Sequence, residues 1–175
     1  ESVHVPGLTD FPEGTNGIAF ADFDGNGYLD ALTVTTPPFI LAEEMKGREN
    51  PRDTLRLMMN YGGFEFRSEE ITLNGSPAKP DDFGQGWRGS QVPVAADFNN
   101  DGLLDFFVSR QFPGMGNNRR KGHKAVGCSL FLAEGSYNTF KDVSEKLNVL
   151  NERAYNRQPS LGDVNQDGWI DIAVG

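Results

Sequence analysis

Cysteine is almost missing from this chain. Cys128 stands alone among 175 residues, so no internal disulfide can staple the fold, and cysteine usage leaves the compartment open. It sits in the mostly apolar run GCSLFLA (127–133), which reads as a small buried side chain rather than a reactive thiol. Histidine is scarce too: His4 and His123 lie far apart, and neither belongs to a recognisable nucleophile motif. Positive charge is short, with 16 Lys and Arg against 25 Asp and Glu. The resulting net charge of −9 excludes nucleic acid and anionic membranes as general partners. No run of about 18 apolar residues occurs, which excludes a membrane-spanning helix. An initiator Met and a basic-then-apolar leader are also lacking, so Glu1 is expected to be a processed or truncated start.

What is present is a globular composition, 37% hydrophobic with 13 Phe, cut by 21 Gly and 10 Pro into short segments. Three of those segments share one pattern: DFDGNGYLD at 22–30, DFNNDGLLD at 97–105 and DVNQDGWID at 163–171. Nine of the chain's Asp residues fall in them, and three bound divalent cations would bring the charge from −9 to −3. The first Asp residues are spaced by 75 and then 66 positions. Each motif is flanked by strand-like runs, GIAFADF (17–23) and DALTVTT (30–36), QVPVAADF (91–98) and DFFVSRQ (105–111), QPSLGDV (158–164) and DIAVG (171–175). Two further strands are expected in each interval between successive motifs: TLRLMMNY (54–61) with FEFRSEEITL (64–73) in the first, and VGCSLFLA (126–133) with TFKDVSEKL (139–147) in the second. Four antiparallel strands per repeat predict an all-β protein built as β-propeller blades. The expected division is an N-terminal segment 1–16 (a candidate outer strand for a neighbouring blade), blade 1 at 17–90, blade 2 at 91–157, and the first half of blade 3 at 158–175. Propellers close with about four to eight blades, so two and a half are expected to be part of a larger closed propeller or assembly.

The spacing of oxygen-bearing side chains points to calcium. Ca²⁺ takes about 6–8 oxygen ligands at flexible angles, which alternate residues of a tight loop can supply. The first site would use Asp22, Asp24, Asn26, the Tyr28 carbonyl and Asp30. The second would use Asp97, Asn99, Asp101, the Leu103 carbonyl and Asp105, and the third Asp163, Asn165, Asp167, the Trp169 carbonyl and Asp171. Position 12, acidic in an EF-hand, is Thr33, Val108 or Val174, and the flanks alternate as strands rather than helices. Mg²⁺ is disfavoured by so crowded an all-protein shell. A hairpin closed by an Asp-Gly turn without metal is the plain alternative, and three motifs in register weigh against it.

These units resemble the FG-GAP/VCBS repeats of integrin α-subunit propellers and of many secreted bacterial proteins. The resemblance rests on the three D-x-[DN]-x-[DN]-G-x-x-D loops and on Phe140–Ser144, similar to an outer-strand sequence of the bacterial repeats. Phe83-Gly84 and Val92-Pro93-Val94 are remnants of the signatures that name the family, which favours the bacterial subgroup. The resemblance implies up to three Ca²⁺, an extracytoplasmic location, and partners on the face opposite the calcium loops. The strand 2–3 loops (37–53, 112–125) and inter-blade links (74–90, 148–157) would share that face, and long loops on a rigid scaffold commonly carry binding. Candidate contacts there are Trp87 with Arg88, the basic run Arg119, Arg120, Lys121 and Lys124 beside His123, and Arg157 with Arg153, Tyr155 and Asn156. The sequence thus predicts a protein- or glycan-binding or scaffolding module, with other blades or chains covering open edges. The competing expectations are a polysaccharide-acting enzyme and a structural subunit of a surface complex. Glu43, Glu44, Asp81 and Asp82 could furnish a glycosidase pair, but no spacing selects them. Asn74-Gly75-Ser76 is a formal glycosylation sequon, weakened by Pro77.

Overall fold

The computed structural model of the protein describes residues 15–35, 54–63, 65–78, 91–110, 128–149 and 158–175. These residues are all-β, with no helix and therefore none long and apolar enough to cross a membrane. β1 (Thr15–Ala21), β2 (Asp30–Thr35), β3 (Thr54–Asn60) and β4 (Phe66–Glu69) form one antiparallel sheet in chain order. A second sheet has the order β6-β5-β10-β9-β8-β7, from β5 (Thr72–Leu73), β6 (Ser76–Pro77), β7 (Gln91–Ala96), β8 (Asp105–Arg110), β9 (Ser129–Ala133) and β10 (Thr139–Asp142). β11 (Pro159–Gly162) and β12 (Asp171–Val174) make a separate hairpin, and none of the sheets closes on itself. Pro93 is tolerated in β7 because that strand is an edge, where a missing N–H breaks no ladder.

The segment expected as one strand over 64–73 is two. β4 pairs with β3 as far as Leu57↔Glu69, and the chain then leaves this sheet. Thr72 and Leu73 pair in parallel with Thr139 and Phe140 of β10, so β5 extends the second sheet. Thr72 N–H donates to Asn138 O and Asn74 N–H to Phe140 O, both at 2.9 Å. Ile71 and Leu73 gain burial by the move, since both enter the core shared by the two sheets. Asn74 and Gly75, at φ 50° and 79°, then turn the chain into β6, and both positive values are those of a type I′ hairpin. Asn74 Oδ1 accepts the Asp142 N–H at 3.2 Å, so the sequon side chain is engaged with the edge of β10. The strand expected over 139–147 is also shorter. It ends where Asp142 Oδ1 accepts the Ser144 N–H, and Ser144 Oγ, buried, accepts the Leu130 N–H of β9.

Alternation along the strands divides each sheet into two faces, and in the second sheet both are packed. Leu32, Val34, Leu55, Leu57 and Met59 of the first sheet pack against Phe106, Val108, Phe131, Ala133 and Phe140 of the second. The Phe106 ring stacks on Phe131 with centroids 4.6 Å apart and meets Phe140 edge-on at 4.7 Å. The reverse face of the second sheet carries Val94, Phe107, Leu130 and Leu132, and Ile172 and Val174 of the third unit pack there. Aligned on the motifs, Phe106 and Ile172 are equivalent, as are Val108 and Val174. The same face of one unit therefore covers the opposite face of the unit before it, twice in succession. β1 accordingly lies beside β7, and β7 beside β11. On the first sheet the corresponding row is Phe20, Ala31 and Met58, where Phe20 is 53% exposed.

Removing the ring at the centre of the shared core tests this packing. Phe106→Ala is expected to cost about 3–5 kcal/mol in urea unfolding, the range for an aromatic deleted from a filled core. Phe20→Ala is expected to stay within about 1 kcal/mol.

Candidate metal centre

Each D-x-[DN]-x-[DN]-G-x-x-D motif is the loop of a hairpin: 22–30 (loop 1) joins β1 to β2, 97–105 (loop 2) β7 to β8, and 163–171 (loop 3) β11 to β12. The glycine at position 6 has φ of 88°, 87° and 87° at Gly27, Gly102 and Gly168. This left-handed conformation turns its N–H inward, onto Oδ2 of the first Asp: Gly27 to Asp22 at 2.9 Å, Gly102 to Asp97 and Gly168 to Asp163 at 2.8 Å. At position 7 the Tyr28, Leu103 and Trp169 N–H groups donate to the side chain at position 5, Asn26, Asp101 and Asp167 respectively. These two bonds repeat in all three loops and turn the side chains at positions 1 and 5 inward.

Position 9 has a second role that ligand spacing alone does not reveal. Asp30 and Asp105 are fully buried. Asp30 Oδ2 accepts the Phe23 N–H of its own loop, and its Oδ1 accepts the Asn60 N–H at the end of β3, both at 2.8 Å. Asp105 does the same with Phe98 and with Ala133 at the end of β9, again at 2.8 Å. Asp171 accepts the equivalent loop donor, Val164 N–H, at 2.9 Å. One carboxylate thus ties the loop to the third strand of its sheet. Burial raises the pKa of Asp30, and raises that of Asp105 to about 6; the two backbone N–H groups on each oppose the rise, and the neighbouring loop carboxylates add to it.

Asn60 was not among the expected site residues, yet it braces loop 1 at several points. Its side-chain amide donates to Leu29 O at 3.1 Å, its Oδ1 accepts the Gly62 N–H at 3.0 Å, and its carbonyl accepts Asn26 Nδ2 at 3.2 Å. An Asn directly after the apolar Leu57-Met58-Met59 was the available signal. The Tyr28 ring lies over Gly62, where a Cβ would sit 3.2 Å from Tyr28 Cζ. Between loops, Asn100 Nδ2 donates to Gly168 O at 3.3 Å.

Oxygen donors alone line these loops, which is the donor chemistry of Ca²⁺. In loop 1 carboxylate oxygens of Asp22, Asp24 and Asp30 lie within 4.8 Å of one another. Asp22 Oδ1 is buried there without a hydrogen-bond partner. A buried, unpaired carboxylate oxygen carries an uncompensated desolvation cost, and a cation among the three carboxylates would remove it. The residues present therefore fit the ion. The expected partner residues Trp87, Arg88, Arg119, Arg120, Lys121, Lys124 and Arg157 lie outside the described residues, as do Glu43, Glu44, Asp81, Asp82 and both histidines. Comparison with protein-family models and with curated proteins finds no match for this chain.

The clamp is testable without metal. Asp105→Asn keeps the shape but leaves one backbone N–H facing an amide N–H₂, and is expected to cost about 1–3 kcal/mol in chelator. Asp171→Asn, at a partly exposed position with one backbone donor, is expected to cost less in the same urea titration.

Proposed function

We propose that the protein is a calcium-stabilised, extracytoplasmic β-propeller segment of the FG-GAP/VCBS type, acting as a binding or scaffolding module for protein or glycan partners. The observation that carries the reading is the convergence of Asp22, Asp24 and Asp30 around the unpartnered Asp22 Oδ1, in a loop whose pattern occurs three times. Support for the blade arrangement comes from the repeated face-to-face stacking of successive units and from the adjacency of β1, β7 and β11. Each first strand would then lie toward a common axis. The unclosed faces at either end would be covered by further blades or by other chains.

Loop by loop, Asp22, Asp24, Asn26 and Asp30 would hold the first ion, Asp97, Asn99, Asp101 and Asp105 the second, and Asp163, Asn165, Asp167 and Asp171 the third, with the carbonyls of Tyr28, Leu103 and Trp169 completing the shells. Bound calcium supplies the positive charge that the clustered carboxylates lack. The chain's own part is to hold those carboxylates in place: the position-9 Asp fixes the loop to the sheet, and the position-6 glycine N–H fixes the first Asp. An ion held this way is a staple, and calcium near millimolar outside cells would keep such sites filled.

Two measurements test the proposal. Thermal unfolding in calcium and then in chelator is expected to show a large fall in Tm on chelation, since a site at about 100 times its Kd adds about 2.7 kcal/mol. An unchanged Tm would contradict the staple. Replacing Arg119, Arg120 and Lys121 together is expected to weaken binding to an acidic glycan or protein partner while no turnover is seen on either variant. Robust hydrolysis of a glycan panel by the purified chain would favour the enzyme reading instead.

A further inference from the structure

The three loops carry the same charge but not the same arrangement. Positions 3 and 5 are Asp24 and Asn26 in loop 1, and the order is reversed in Asn99 and Asp101 and in Asn165 and Asp167. The hydrogen bonds follow that exchange. In loop 2 the position-5 N–H, on Asp101, reaches Asp97 Oδ1 at 3.0 Å and Asn99 Oδ1 at 3.1 Å. In loop 3 the Asp167 N–H reaches Asp163 Oδ1 and Asn165 Oδ1, both at 3.0 Å. In loop 1 the Asn26 N–H goes to the stronger acceptor at position 3, Asp24 Oδ1, at 3.1 Å. The first Asp therefore has both oxygens engaged in loops 2 and 3, whereas Asp22 keeps Oδ1 buried and unbonded.

The amide side chain also serves a different purpose. Asn99 and Asn165 each donate to the carboxylate two residues on, at 2.9 Å. Asn26 Nδ2 donates back to Asp24 Oδ2 at 3.0 Å and outward to Asn60 O, which anchors loop 1 to the end of β3. Among the described residues, loop 1 alone brings three carboxylate oxygens within 4.8 Å of one another.

We propose that the loops fill in order, loop 1 first, and that the exchange of carboxylate and amide between positions 3 and 5 sets the order. This rests on the calcium reading above and adds a ranking of the sites to it. In loops 2 and 3 the position-5 N–H already takes part of the acceptor capacity of the first Asp's Oδ1, so a cation there competes with it. In loop 1 that oxygen is already bare and its burial already unfavourable. A hydrogen bond to a charged group is worth enough to change affinity about tenfold or more, so loop 1 is expected to bind about tenfold tighter.

Nitrogen–proton correlation NMR of the chelator-treated chain, titrated with calcium chloride, reads each loop through its position-6 glycine amide. Gly27 is expected to reach its half-way point at about tenfold less calcium than Gly102 and Gly168. The charge-conserving double substitution Asp24→Asn with Asn26→Asp is expected to bring Gly27 to the midpoint of the others. The reverse exchange, Asn99→Asp with Asp101→Asn, is expected to move Gly102 toward lower calcium, and it serves as the test if the first variant does not fold. Coincident midpoints, Gly27 responding last, or midpoints unmoved by a folded exchange variant would overturn the ranking while leaving calcium binding intact. No response from any of the three glycines up to millimolar calcium would overturn both.

Discussion

A buried carboxylate at the end of a hairpin loop organises one end of each of the two larger sheets. Asp30 and Asp105 each accept one N–H from their own loop and one from the last residue of the neighbouring third strand, at 2.8 Å in all four bonds. Removing such a group from water is costly unless its lone pairs are filled, and the two backbone donors fill part of that need. The arrangement fixes where the loop sits relative to the sheet. It also gathers negative charge, since Asp22 and Asp24 are drawn to Asp30 by the same turn. Loop position and the gathering of negative charge are therefore consequences of one placement.

That placement was only half legible in the sequence. The spacing of Asp, Asn and Gly in 22–30, 97–105 and 163–171 announced hairpin loops with converging oxygens, and strands appear on both sides of each where alternation put them. The clamp was not legible, because whether Asn60 or Ala133 presents its N–H to position 9 depends on how the third strand registers against the second. The difference between loop 1 and the other two was written plainly as Asp-Asn against Asn-Asp. Its effect required the bond network, in which the position-5 N–H reaches two acceptors in loops 2 and 3 and, in loop 1, Asp24 without Asp22.

The division of 64–73 had a signal that the expectation of one strand ran across: four polar residues, Arg67–Glu70, separate Phe66 from the alternating Ile71–Leu73. The chain leaves one sheet because a strand from much later in sequence, β10, offers it a partner and a core. Asn74-Gly75, expected only as a sequon and the start of an inter-blade link, was an unused hairpin signal, since this dipeptide suits the positive φ of both central residues. Burial decides the rest: Ile71 and Leu73 enter the core that joins the sheets, while Thr72 and Asn74 bond to the edge of β10.

The same staggered packing, each unit's face on the back of the one before, accompanies the placing of the three loops at the ends of equivalent hairpins. The account stands on cations occupying those loops. Native mass spectrometry of the chain in calcium, and again after chelation, counts them directly. Three added calcium ions that disappear on chelation are predicted, and a chain whose mass is the same in both conditions would contradict the account.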